Sequence, residues 1–389
     1  MIRKVLTVLL LLLTLALAAC GADDEEQLEG ETGVDIAAPA ADLDDDLDQA
    51  EEEVLEEEVV EADEAVTLTL MTHDSFDISE ETILRFEEAH DVNLELLPAG
   101  DTGTALNQAI LAADNPLADV FFGVDNTFLS RALDAGIFET YESPLLAEIP
   151  DRFELDESHR MLPVDFGDVC LNYDVAWFEE RGLEPPDSLD DLVDPAYEGL
   201  LVVESPATSS PGLAFLLTTI ANYGTDGNYT YLNYWADLEN NDVLVVNDWN
   251  SAYYGHFSVA GDGNRPLVVS YASSPPAEVI FADPRPEEAP SASVVAPDTC
   301  FRQIEFVGIL GGTEQRELAE ALVDYMLSEP FQEDIPLHMF VFPVNENAEL
   351  PAEFVEFAAV PDDPATVAPE LIDENRERWI ESWSETMVR

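Results

Sequence analysis

The chain has 389 residues, with 84 acids against 14 bases and a formal charge of −70. A charge of that size is repelled by phosphate backbones and anionic lipid heads, which excludes nucleic-acid binding and adsorption to a membrane surface. A hydrophobic fraction of 47%, with 19 Phe, 11 Tyr and 5 Trp, excludes a wholly disordered chain and leaves room for about two to three domains.

The chain begins as an export signal. Arg3 and Lys4 precede an apolar run from Val5 to Leu17, which is short of the roughly 20 residues that cross a bilayer but suits a secretory signal core. Leu17-Ala18-Ala19-Cys20-Gly21 follows, a lipobox in which Cys20 becomes the lipidated N-terminus. Residues 1–20 are therefore expected to be a lipoprotein signal peptide and the protein to be lipid-anchored outside the cytoplasm. Residues 21–65 hold 21 acids and no base; like charges in sequence keep such a segment extended, and it reads as an acidic disordered tether. Residues 66–389 keep 63 acids and 12 bases. That balance reads as adaptation to high salt, where self-repulsion is screened over about 3 Å at 1 M.

From residue 65 the pattern alternates. Strands are expected at 65–72, 92–97 and 118–123, and helices at 79–90, 103–113 and 127–135. The β-α-β-α-β-α order favours a parallel sheet covered on both faces, with ligands beyond the carboxyl ends of its strands. Segments 72–75, 124–126 and 163–166 are expected there as polar loops, bringing Asp74, Asp125 and Asp165. A second set follows: strands at 169–173, 200–203, 243–246 and 267–271, and a helix at 212–223 opened by Ser209-Ser210-Pro211. A strand at 302–310, a helix at 314–327 and a terminal helix from Trp379 complete it. The picture is α/β, two lobes whose strand-end loops meet. Cys170 and Cys300 are the remaining cysteines; in an exported chain a disulfide is expected, the alternative being two free buried thiols. Neither carries metal-site spacing, so no metal or cofactor is expected.

Several segments then carry a resemblance. THDSF (72–76), ADVFFGVDN (118–126), SSPGLAFLL (209–217), NDWNSAYYGHF (247–257), LVVSYASSP (267–275), FPVNENAELP (342–351) and RWIESW (378–383) resemble, in order, the thiamine-binding periplasmic proteins of ABC importers. The resemblance spans nearly all of residues 66–389. It implies the two-lobe type II periplasmic-binding fold, each lobe a mostly parallel sheet flanked by helices, with lobe one at about 66–167 plus 276–389 and lobe two at about 168–275. It implies a monomeric, non-enzymatic binder of thiamine or thiamine phosphate that serves a membrane ABC permease. Carried over position by position, it assigns ligand contacts to Asp125, Asn126, Ser209, Ser210, Trp249, Tyr271, Ser273 and Ser274. Phe340 stands where some relatives have Trp, His73 where some have Tyr, and Phe342 replaces a Tyr.

The chemistry of these residues points the same way. Thiamine is a flat cation with a polar arm, and aromatic faces hold such cations at about 0.5–2 kcal/mol each. Trp249, Tyr271 and Phe340 are the aromatic candidates; Asp74, Asp125 and Asp165 would balance charge. The helix start at Ser209-Ser210 would suit a phosphate, although serines there also read as simple caps. Two other ligands fit the same architecture: iron(III), through Tyr253-Tyr254, and a polyamine or another organic cation. No GxSxG, HExxH, P-loop or GxGxxG pattern marks an enzyme.

Overall fold

The computed structural model describes residues 66–261 and 263–387. The signal peptide, Cys20 and the tether lie outside them. Six strands and five helices run from residue 66 to 223: β1 (Val66–Thr72), α1 (Glu80–His90), β2 (Val92–Pro98), α2 (Thr102–Leu111), β3 (Val120–Asp125), α3 (Leu129–Ala135), β4 (Phe138–Glu139), β5 (Leu162–Asp174), α4 (Val175–Arg181), β6 (Leu201–Glu204) and α5 (Ser210–Tyr223). Then follow α6 (Tyr231–Asn240), β7 (Leu244–Val246), a wide π-type turn over Ser251–His256, β8 (Leu267–Tyr271), α7 (Pro275–Ile280), β9 (Ser291–Val294), β10 (Phe301–Leu310), α8 (Arg316–Leu327), β11 (Phe342–Pro343) and a terminal helix, Pro369–Met387.

Local chemistry explains the boundaries that shape the site. Ser79 caps α1 by accepting the Thr82 N–H at 3.2 Å, and the helix closes at Asp91 in the left-handed region. Asp101 caps α2 and Ser209 caps α5, whose first turn carries Pro211. The start of α5 is therefore 210, two residues before the apolar periodicity begins.

The sheet runs β2-β1-β3-β10-β5-β8-β6-β7. β1 is parallel to β2 and β3, and β6 is parallel to β7 and β8. Between these two parallel sets lie β5 and β10, antiparallel to their neighbours. β3, β5 and β10 are buried along nearly their whole length, although β5 carries Asp165 and Asp168 and β10 carries Gln303 and Glu305. A disulfide joins Cys170 on β5 to Cys300 beside β10, tying together the two strands that run through both halves of the sheet. The terminal helix packs on α6, with Trp383 edge-on to Trp235 at 5.5 Å.

Three expectations need correcting. Segment 163–166 is not a loop but the first part of β5, so Asp165 is a strand residue, held by β10 on one side and β11 on the other. An acid among buried apolar neighbours had the look of a strand break. The terminal helix begins at 369, ten residues before Trp379, because its first turns are acidic and only Ile372 and Arg376 turn inward there. The sheet is also more mixed than β-α-β-α-β-α order implied, since the two long strands enter it antiparallel.

Candidate ligand cleft

A cavity of about 380 Å3 opens where the strand ends of the two parallel sets meet, within the usual size range for small-molecule sites. Its acidic lining comes from His73 and Asp74 after β1, Asp101 before α2 and Glu305 on β10. Its aromatic lining comes from Trp249, Tyr253 and Tyr254 around the π-type turn, Tyr271 at the end of β8, and Phe281 and Phe340. Ser210, Thr102 and Ser274 add hydroxyls. No Lys or Arg lines it among the described residues.

The aromatic lining is braced from behind. The Trp249 indole N–H donates to Ser270 Oγ at 3.0 Å, and the ring stacks on Tyr253 at 4.8 Å. The Tyr253 hydroxyl donates to Glu278. Tyr254 stands perpendicular to both Trp249 and Tyr253 and is 51% exposed. Tyr271 donates to Gln303 Oε1 at 2.8 Å. It lies so close to β5 that a Cβ on Gly167 would sit 2.7 Å from its ring, so glycine is required there. Phe340 holds φ at 55°, a costly conformation for a bulky residue and one found where side chains are aimed for function. Its ring meets Phe281 edge-on at 5.6 Å.

The acidic lining is packed as closely. Gly123 has φ 105°, and a Cβ there would strike His73 Cδ2 at 2.4 Å; the glycine of the GVD segment makes room for the imidazole. His73 Nε2 is 3.4 Å from Glu305 Oε1. Burial pushes the His73 pKa down, against the pull of Asp101 and Asp165, so the ring is neutral. Asp101 accepts the Thr102 N–H at 2.8 Å and the Trp249 N–H at 3.3 Å. Gly103 N–H donates to Thr208 C=O at 3.1 Å beside it. These contacts close the two halves on each other. Burial raises Asp101 to about 6 and Glu305 to about 8, the latter helped by the Asp125 charge.

Of the eleven ligand-contact candidates, Asp74, Ser210, Trp249, Tyr271, Ser274 and Phe340 line the cavity. The other five are set back from it. Asp125 is fully buried, accepting from the Thr127 hydroxyl at 2.7 Å, the Phe128 N–H at 3.2 Å and Gln303. Burial raises it to about 6. Asn126 pairs with the backbone of β10, donating to Arg302 C=O and accepting from Ile304 N–H. Ser209 is the α5 cap, accepting the Gly212 N–H at 3.5 Å. Ser273 is buried with no partner for its hydroxyl. Asp165 lies behind Glu305 as its cross-strand partner. Sequence reasoning missed Asp101, Glu305 and Phe281. The available signal was a lone acid between Ile304 and Phe306 in an otherwise apolar strand.

A bilobal α/β molecule with a cleft lined by aromatic and acidic side chains is a solute-binding protein of the type II periplasmic fold. Residues 115–362 match the family of bacterial extracellular solute-binding proteins, and the chain belongs to that family. It is 29% identical over 332 residues to the thiamine-binding periplasmic protein of Escherichia coli K12, covering 83% of this chain and 94% of that one. It is 28% identical to the protein of the same description from Brucella suis, covering 82% and 91%. Among solved structures it superposes on a periplasmic thiamin binding protein with a TM-score of 0.71 at 26% identity, covering 83% and 96%. An iron-bound HitA from Pseudomonas aeruginosa shares the fold, with a TM-score of 0.65 at 19% identity, covering 82% and 99%. No described helix is long and apolar enough to cross a membrane.

Proposed function

We propose that this protein captures thiamine outside the cytoplasm and delivers it to a membrane ABC permease. In this reading Cys20 carries the lipid anchor, the acidic tether gives the binding domain reach, and the protein works as a monomer without catalysis. Lobe one would comprise about 66–167 plus 276–389 and lobe two about 168–275. The observation that carries the ligand assignment is the composition of the cleft. Seven aromatic side chains, Phe76 among them, line it together with His73, His338 and four acids, of which Asp101 and Glu305 are buried and Asp74 and Asp77 exposed, with no Lys or Arg among the described lining residues. A flat organic cation satisfies both linings at once, through cation–π attraction and through charge balance.

The same composition ranks the ligands. A phosphate would meet only the start of α5 at Ser210 as a favourable partner and would be repelled by Asp101 and Glu305. Thiamine is therefore favoured over its monophosphate. Iron(III) is less well served, because Tyr253 already donates to Glu278 and packs flat on Trp249. Calorimetric titration of the purified protein in molar salt tests the assignment. One-to-one binding of thiamine, tighter than that of its monophosphate, is expected; tight iron(III) or polyamine binding with no thiamine heat would overturn it.

A further inference from the structure

Asp165 and Glu305 are cross-strand partners on β5 and β10. The register of β10 shifts between Glu305 and Phe306, and a bulge at that point re-aims the side chain beside it. Glu305 is thereby turned into the cleft lining while only 6% exposed. Asp165 is fully buried behind it, and neither of its carboxylate oxygens has a donor partner. Two carboxyl groups can hydrogen-bond each other only when one of them carries a proton. Leaving both ionised, side by side and out of water, would cost far more than protonating one.

Among the described residues, no Lys or Arg offsets the charge of the pair. The titratable groups that face the pair are His73 from the loop after β1, Asp101 from the start of α2, Asp125 from β3 and Tyr271 from β8, with Asp74 beyond His73. All but His73 are acids, and the His73 Nε2 has no hydrogen-bond partner. Arg302, on the same strand as Glu305, is committed to Asp168 through bonds of 3.0 and 2.8 Å.

We propose that the Asp165–Glu305 pair is the charge-selecting element of the cleft: it shares one proton in the ligand-free protein and releases that proton to water when an organic cation enters. The cation replaces the proton as counter-charge, so the cleft gains no net charge on loading. A neutral ligand of the same shape leaves the proton in place and forgoes the attraction. Burial holds both carboxyls above the usual carboxylate range, Glu305 at about 8, so the proton is present at neutral pH. The inference rests on the thiamine reading and gives that reading its selectivity.

The sign of the linkage follows. Loading removes a proton, so affinity rises with pH until the ligand-free pair has itself ionised near pH 8 and is flat above. Between pH 6 and 8 the affinity for thiamine should rise by up to about tenfold per pH unit, the slope for one proton. Calorimetry of the full-length protein with thiamine, in buffers of different ionisation enthalpy at pH 6.5, where the ligand-free pair still holds its proton, counts the proton directly. About one proton released per thiamine is expected. Glu305→Gln should abolish the release and weaken thiamine by about tenfold or more at pH 8, where the native pair binds best. Thiamine binding with no proton released by the native protein would overturn the inference and leave the ligand assignment standing. Failure of thiamine to bind a folded protein would overturn both.

Discussion

Asp101, Asp165 and Glu305 are held on regular elements, a helix start and two central strands, and little about them can move. Trp249, Tyr253, Tyr254 and Phe281 sit on a π-type turn and at the end of a short helix, and two of them, Tyr254 and Phe281, are more than half exposed. The buried acids are thus preorganised and desolvated, while the aromatic lining runs from braced, buried rings such as Tyr253 to the exposed rings of Tyr254 and Phe281. The first is suited to fixing the charge of the ligand and the second to accepting its shape. Within the aromatic lining Phe340 holds the left-handed conformation, with φ at 55°.

Both linings rest on β5 and β10, and the largest effect should come from loosening that shared support. The disulfide closes a separation of 130 residues, worth about 5 kcal/mol in the chain-entropy account of cross-links. Reduction, or Cys170→Ser with Cys300→Ser, should lower the unfolding midpoint strongly in a thermal melt while leaving ligand preference unchanged in whatever remains folded. Next comes the aromatic lining. Trp249→Ala removes the ring braced by Ser270 and Tyr253 and should weaken thiamine by about 2 kcal/mol, roughly 30-fold, in titration. The protein should still fold, because Trp249 is only part-buried.

The acidic lining should show its character in stability as well as in binding. Glu305 has its pKa raised to about 8 on folding, so the folded state holds a proton that the unfolded state has lost. The native protein without ligand should therefore lose stability as pH rises from the ordinary glutamate range, about 4.3, towards 8. Glu305→Gln should flatten that decline, raising the melting temperature at pH 8 more than at pH 5. Equal shifts at both values would contradict the buried-proton picture. The smallest effect on binding is expected at Asp125. Its carboxyl is spent on Thr127, Phe128 and Gln303, so Asp125→Asn should alter stability while changing thiamine affinity by no more than a few-fold.

Much of the aromatic lining could be read from sequence, because Trp249, Tyr271 and Phe340 lie in segments with recognisable neighbours. The helix start at Ser209-Ser210-Pro211 was equally legible from capping chemistry. Asn126 was legible as a residue beyond a strand, whereas Asp125, expected in the same loop, is the last residue of β3 and pairs with β10; the sequence could not tell which way either turns. The structure uses both to fasten the α3 approach to β10. The acidic lining was least legible. Asp165 had the look of a loop residue and Glu305 that of an ordinary position in an apolar strand. Their juxtaposition depends on the antiparallel pairing of two strands some 140 residues apart and on a bulge, neither of which leaves a local pattern.

The most direct measurement is a crystal structure of the protein grown with thiamine at high salt. The cationic thiazolium ring should lie against the Trp249 indole and within ion-pair reach of the Glu305 carboxylate, touching both linings. A ligand seated away from Glu305, or an occupied cleft holding an anion in its place, would contradict the division of labour between the two linings.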